Sequence, residues 1–170
     1  MSHPIAQPTP DHQPIGVLFV CLGNICRSPA AEGCFLHLLT REGLRDAFHV
    51  DSAGTGHWHV GHPPDPRMQE AAALRGLILP SRARQISGAD LERFDHILTM
   101  DQDNLAAVQR LAKGKSARAR IEPITRYCQR HQLESVPDPY YGGPDGFEHV
   151  LDILEDACES LLNRLKPPTG

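Results

Sequence analysis

The chain has 170 residues, 40% of them hydrophobic, and a formal net charge of -4, which is the size and balance of one soluble globular domain. A pI near 6.2 and 5% aromatic residues argue against a nucleic-acid-binding surface, and no apolar run approaches the ~20 residues of a membrane span. Five cysteines, an odd number, do not suit a disulfide framework and fit a reducing cytoplasm.

Residues 1–14 carry four prolines and no apolar core of a secretory signal, so a disordered tail is expected there. One domain is expected over residues 15–166, with a short tail at 167–170. Gly16–Val20 is the first strand, and its unbroken run Val17-Leu18-Phe19-Val20 suits a central parallel position. The loop Cys21-Leu22-Gly23-Asn24-Ile25-Cys26-Arg27 follows, with Ser28 expected as N-cap and Pro29 as the first residue of a helix. That helix, Ala30–Thr40, sets Ala31, Cys34, Phe35, Leu38 and Leu39 at helical spacing and stops at Gly43. Phe48–Ser52 is the second strand, ending in a turn at Gly54 and Gly56. A helix over Met68–Leu74 follows the proline-rich His62-Pro63-Pro64-Asp65-Pro66 and ends at Gly76. His96–Met100 is the third strand, Asp101–Leu111 a helix that opens on an acid, and Arg120–Ile124 the fourth and weakest strand. Phe147–Leu165 is the longest helix, with Val150, Leu151, Leu154, Cys158, Leu161, Leu162 and Leu165 in one stripe. Strands alternating with helices imply an α/β fold, a parallel sheet with helices on both faces. In such sheets ligands bind beyond the carboxyl ends of the strands, where Cys21 falls.

Charge is uneven. Residues 110–130 hold seven basic side chains and one acid, Glu122. Solvated charges on a helix end and loop are the simpler account, and a docking patch for an acidic partner is the alternative.

The loop after the first strand holds an anion against a thiolate. Gly23 and Asn24 tolerate positive φ, so the backbone N–H groups of Leu22, Gly23, Asn24, Ile25, Cys26, Arg27 and Ser28 can turn inward. The helix N-terminus behind them favours negative charge and stabilises a thiolate at Cys21. Arg27 adds a planar, permanently charged fork that can clasp two phosphate oxygens. A nucleophile ionised at neutral pH together with cationic cover for equatorial oxygens is what phosphoryl transfer requires. The cluster His57, His59 and His62 matches no standard metal-ligand spacing, and no metal or other cofactor is expected.

The spacing Cys-x5-Arg-Ser is the signature loop of cysteine-dependent phosphatases. With Val50-Asp51-Ser52-Ala53-Gly54-Thr55, Pro63-Pro64-Asp65, Ala83-Arg84-Gln85-Ile86 and Asp138-Pro139-Tyr140-Tyr141-Gly142 in the same order, the chain from Gly16 to Leu165 resembles the low-molecular-weight protein tyrosine phosphatases. The resemblance implies a four-stranded parallel sheet ordered 2-1-3-4 and hydrolysis of phosphotyrosine and small aryl phosphates through a phosphocysteine on Cys21. It makes Asp138, which alone would read as a turn residue between prolines, the general acid and then the base, giving a bell-shaped pH profile. It gives Ser28 a hydrogen bond to the Cys21 thiolate, Asn24 and Ser52 the support of the loop, and Trp58, Tyr140 and Tyr141 the walls of an aromatic slot. It also makes Cys26 the partner of Cys21 in a reversible disulfide that guards against over-oxidation. Ile25 stands where relatives resembling phosphoarginine phosphatases have threonine, which favours phosphotyrosine. The implied partners are a phosphotyrosine protein, a tyrosine kinase among the candidates, with inorganic phosphate as product and neither nucleic acid nor membrane. One alternative is an arsenate reductase on the same fold, which needs a cysteine pair that Leu79-Pro80-Ser81-Arg82-Ala83-Arg84-Gln85 lacks. The other is a catalytically weak phosphotyrosine-binding module, which would be expected to have lost one of Cys21, Arg27 or Asp138.

Overall fold

The computed structural model describes residues 13–167. The expected tails, residues 1–14 and 167–170, lie outside the described residues except for 13, 14 and 167. Strands β1 (Ile15–Cys21), β2 (Phe48–Gly54), β3 (His96–Thr99) and β4 (Arg120–Pro123) form one parallel sheet in the order β2-β1-β3-β4. This is the expected α/β architecture and strand order. β1 lies between two neighbours, and Val17 to Val20 are wholly buried.

Alternation along β1 divides the core in two. Val17, Phe19 and Cys21 face α1 (Arg27–Glu42) and the long α5 (Pro144–Leu165). Leu18 and Val20 face the opposite side, with Leu91, Phe94 and Val108 from the short α3 (Asp90–Arg93), the residue after it and α4 (Gln102–Ala112). Phe19, Phe35 and Phe48 meet edge to face at 5.8 and 5.4 Å, and fully burying each ring contributes roughly 1.5–3 kcal/mol. Cys34 and Cys158 are buried in the α1–α5 layer, where the Cys158 thiol donates to Ala31 O.

Several boundaries differ from the sequence expectation. α2 (Pro66–Ala73) starts two residues early because Asp65 caps it and Pro66 fits the first turn. α5 likewise begins at Pro144. The Ser28 cap is a correction: Cys26 is the N-cap of α1, with no side-chain cap bond, and Ser28 is inside the helix. Its hydroxyl is taken up by Cys21 and Asn24 and cannot also cap. Pro29 is the third helical residue and not the first, still within the first turn, where a missing N–H removes no helical bond. The basic segment is largely paired: Arg118 meets Asp95, Arg120 and Arg126 share Glu122, and Arg130 meets Glu159. No helix among the described residues is long and apolar enough to cross a membrane.

Candidate active site

The loop between β1 and α1 curls over the carboxyl end of the sheet, and β2 moulds it. Gly54 pairs with Cys21 across the sheet, while Thr55 N–H donates to Cys21 O and Gly56 N–H to Leu22 O at 2.9 Å each. A Cβ on Gly54 would stand 2.7 Å from Leu22 O, so only glycine permits this approach. Asn24 holds the one positive φ among the described non-glycine residues, 57°, a conformation asparagine tolerates.

The Asn24 side chain repays that conformation by tying three segments together. Its Nδ2 donates to Ser28 Oγ at 2.8 Å and to Ser52 Oγ at 3.0 Å, and its Oδ1 accepts from Arg84 N–H at 3.0 Å. Ser52 donates onward to Glu32 at 2.6 Å. Burial pushes the Glu32 carboxyl above its usual range, against hydrogen bonds from Ser52 and Ser81 that pull it down. Arg84 is fixed by Asp51 and by a two-pronged pair with the buried Asp90.

Cys21 Sγ lies at the floor, with the residue only 3% exposed. Asn24 N–H points at it from 3.3 Å and Ser28 Oγ is 3.0 Å away. Ser28 Oγ accepts from Asn24, and its own proton can point to Cys21 Sγ at 3.0 Å or to Ala53 O at 3.4 Å. Cys26, buried beside the same cavity, has its thiol pushed up, first by burial and then by the charges of Asp65, Cys21 and Asp138. It is therefore held as a thiol.

Arg27 is also 3% exposed. Its Nη1 donates to Asp101 at 2.7 Å and to Val136 O at 3.0 Å, and its Nη2 lies 3.7 Å from Asp138. Burial opposes the charge, but Cys21, Asp101 and Asp138 outweigh it and keep the guanidinium protonated. Arg27 thus has one edge anchored to protein while the residue lines the cavity. Asp101 also caps α4 through a reciprocal box with Asn104.

The cavity is about 370 Å³ and is lined by Cys21, Leu22, Gly23, Ile25, Cys26, Arg27, Trp58, His59, Asp138, Tyr140 and Tyr141. Trp58, 65% exposed, stacks on His57 above Gly56, where a Cβ would collide with its ring. Tyr140 is half-buried and meets Tyr141 edge to face at 4.9 Å, while Tyr141 is 94% exposed. A sulfur and a guanidinium at the bottom, an acid at the side and aromatic rings at the rim can accept an aryl phosphate.

The family model for low molecular weight phosphotyrosine protein phosphatases matches residues 16–168. The chain belongs to that family. It is 43% identical over 149 residues to the low molecular weight protein-tyrosine-phosphatase YfkJ of Bacillus subtilis, covering 87% of this chain and 94% of the relative. A protein tyrosine phosphatase structure from Entamoeba histolytica superimposes with TM-score 0.82 at 39% identity, covering 89% of this chain and 97% of the other. An arginine phosphatase structure from Drosophila gives TM-score 0.83 at 36% identity, covering 89% and 98%.

Within this family frame, some expected site residues line the cavity and some lie beneath it. Cys21, Leu22, Gly23, Ile25, Cys26, Arg27, Trp58, Asp138, Tyr140 and Tyr141 line it, whereas Asn24, Ser28 and Ser52 form the support below. Sequence reasoning missed Asp101, Glu32, Arg84 and His59. Asp101 had a signal: an acid directly beyond β3 stands at the same carboxyl end of the sheet as Cys21. Glu32 and Arg84 had none, since only the fold brings them to Ser52 and Asn24.

Proposed function

We propose that this chain hydrolyses phosphotyrosine in proteins, and small aryl phosphates, in two steps. The Cys21 thiolate attacks phosphorus, the bond from phosphorus to the tyrosyl oxygen breaks, and Asp138 gives its proton to that oxygen. The ionised Asp138 then takes a proton from water, which attacks the phosphocysteine, releases inorganic phosphate and returns the thiolate. Arg27 and the N–H groups of Leu22 to Ser28 hold the equatorial oxygens throughout, and the Ser28 hydroxyl stabilises the departing thiolate. The observation that carries this reading is the placing of Cys21, Arg27 and Asp138 on one cavity, with Ser28 Oγ 3.0 Å from the sulfur.

The depth of the sulfur and the aromatic rim support an aryl ester over the shorter phosphoserine. The 36% identity to the Drosophila arginine phosphatase makes phosphoarginine the second reading; Ile25 in the cavity wall supports the first. The phosphoprotein partner is proposed to include a tyrosine kinase, and Cys26 is proposed as the redox guard of Cys21. A cytoplasmic location suits the five free thiols.

Phosphate release is measured from matched phosphotyrosine, phosphoserine and phosphoarginine peptides, with arsenate plus reductant alongside. Turnover of phosphotyrosine alone is expected; turnover of phosphoarginine or arsenate alone overturns the reading. After peroxide, mass mapping is expected to show a Cys21–Cys26 disulfide, and a stable sulfinic acid at Cys21 would refute the guard.

A further inference from the structure

The loop that carries Asp138 has few anchors of its own. Val136 N–H donates to Met100 O at 2.7 Å and Arg27 reaches Val136 O, but beyond Val136 the chain is exposed at Pro137 and Asp138. A general acid has to meet the leaving oxygen at hydrogen-bond distance, and misplacement by about 1 Å costs on the order of 10²-fold. Something must set the height of this loop over the cavity.

Arg67 is built to do so. Asp65 N–H donates to Ile25 O at 2.8 Å, which pins the start of α2 to the anion-binding loop. The Asp65 carboxylate caps α2 through Arg67 N–H at 2.8 Å and grips the Arg67 side chain through Nε at 3.0 Å and Nη2 at 2.8 Å. So held, Arg67 Nη2 donates to Tyr140 O at 3.1 Å, and the guanidinium lies 5.4 Å from the Tyr140 ring centre and 4.9 Å from that of Phe147. Tyr140 N–H in turn donates to Asp138 Oδ1 at 3.1 Å. An unbroken series of contacts therefore runs from the loop that holds the nucleophile to the carboxyl on the opposite wall.

We propose that Arg67 is a positioning residue for Asp138, a strut that fixes the acid loop relative to the Cys21 loop. The proposal rests on the hydrolase reading above. Arg67 is 49% exposed, and an exposed ion pair of this kind adds little to stability. Its planar fork and stacked faces are what a strut needs, and lysine supplies neither.

The test compares kcat/KM, which reports the steps through phosphocysteine formation, for phenyl phosphate and 2,4-dinitrophenyl phosphate. Phenoxide needs a proton to leave; dinitrophenoxide does not. Arg67→Ala is expected to lose about tenfold on phenyl phosphate and no more than about twofold on the dinitrophenyl ester. Arg67→Lys should fall between wild type and Arg67→Ala. In an Asp138→Ala background the same Arg67→Ala change should cost no more than about twofold on either ester, because residues acting through one group are not additive. Equal losses on both esters, or a full tenfold loss persisting without Asp138, overturns the proposal. Circular dichroism checks folding. Should Arg67→Ala not fold, Arg67→Lys and Asp65→Asn, which keeps a capping oxygen, are required to show the same ester-selective loss. Wild-type turnover of the two esters tests the hydrolase reading, and the difference between them tests the strut.

Discussion

The two walls of the cavity are built on opposite plans. On the phosphate side, Asn24, Arg27, Ser28 and Ser52 are at most 3% exposed, and their side chains are hydrogen-bonded to one another or to Glu32, Asp101 and main chain. On the side proposed to face the leaving group, Asp138 is 44% exposed, Tyr141 is 94% exposed, and the chain is tethered at Val136 and through Tyr140. Phosphate is the same in every substrate, and a preorganised buried cradle suits it. The leaving group varies with the protein that carries it, and an open wall held at a few points accommodates that variation. The lesson is that one site can separate what it fixes from what it admits.

Three measurements break or sharpen this contrast. Cys21→Ser should lower turnover by roughly 10⁴-fold or more while phosphate binding persists, because the cradle remains; retained turnover removes Cys21 as nucleophile. Asp138→Ala should slow phenyl phosphate by about 10²-fold yet leave stability within about 0.5 kcal/mol, as expected for an exposed residue. Asn24→Ala should do what Asp138→Ala does not. It leaves a strained backbone, takes the acceptor from the Arg84 N–H and a donor from Ser28 and Ser52, and should cost about 2–3 kcal/mol in denaturant unfolding along with activity. Equal stability losses in these two variants would erase the distinction between the walls.

The smallest effect concerns pH and lies away from both walls, at the start of β3. Burial holds the His96 imidazole below its usual pKa of 6.5, against the pull of Asp95 and Glu122, and its Nδ1 is buried without a partner among the described residues. The unfolded chain therefore takes up the proton first as pH falls through about 6.5, so this contribution to stability is present above that pH and is lost below it. His96→Val should shrink the fall in Tm between about pH 7.5 and 5.5 by about 1–3 °C. An unchanged fall assigns the acid sensitivity elsewhere.

The contrast between the walls also explains what could be read without coordinates. β1, its loop and the α5 stripe were legible because local patterns encode them: a run of four apolar residues, a glycine and an asparagine before Arg-Ser, and leucines at helical spacing. The Ser28 cap failed because the Cys21 sulfur and the Asn24 amide, both brought close by the curl of the loop, had a stronger claim on the same hydroxyl. Asp101 and Arg67 stayed hidden for a related reason. Arg27 meets its carboxylate 74 positions away, and Arg67 reaches Tyr140 across 73. Those separations close only when strands and helices dock, so spacing in the sequence carries no trace of them.

The glycine at position 54 has a wider consequence. The anion cradle has the shape that β2 and Arg84 impose, with Leu22 O at a distance from Gly54 that no side chain would permit. Its specification is therefore distributed over residues 21–28, 52–56 and 84. A peptide copied from residues 21–28 would carry the cysteine and the arginine but not the mould, and would not close around phosphate. Grafting this chemistry onto another scaffold means transplanting a strand register, with the loop as the part that follows.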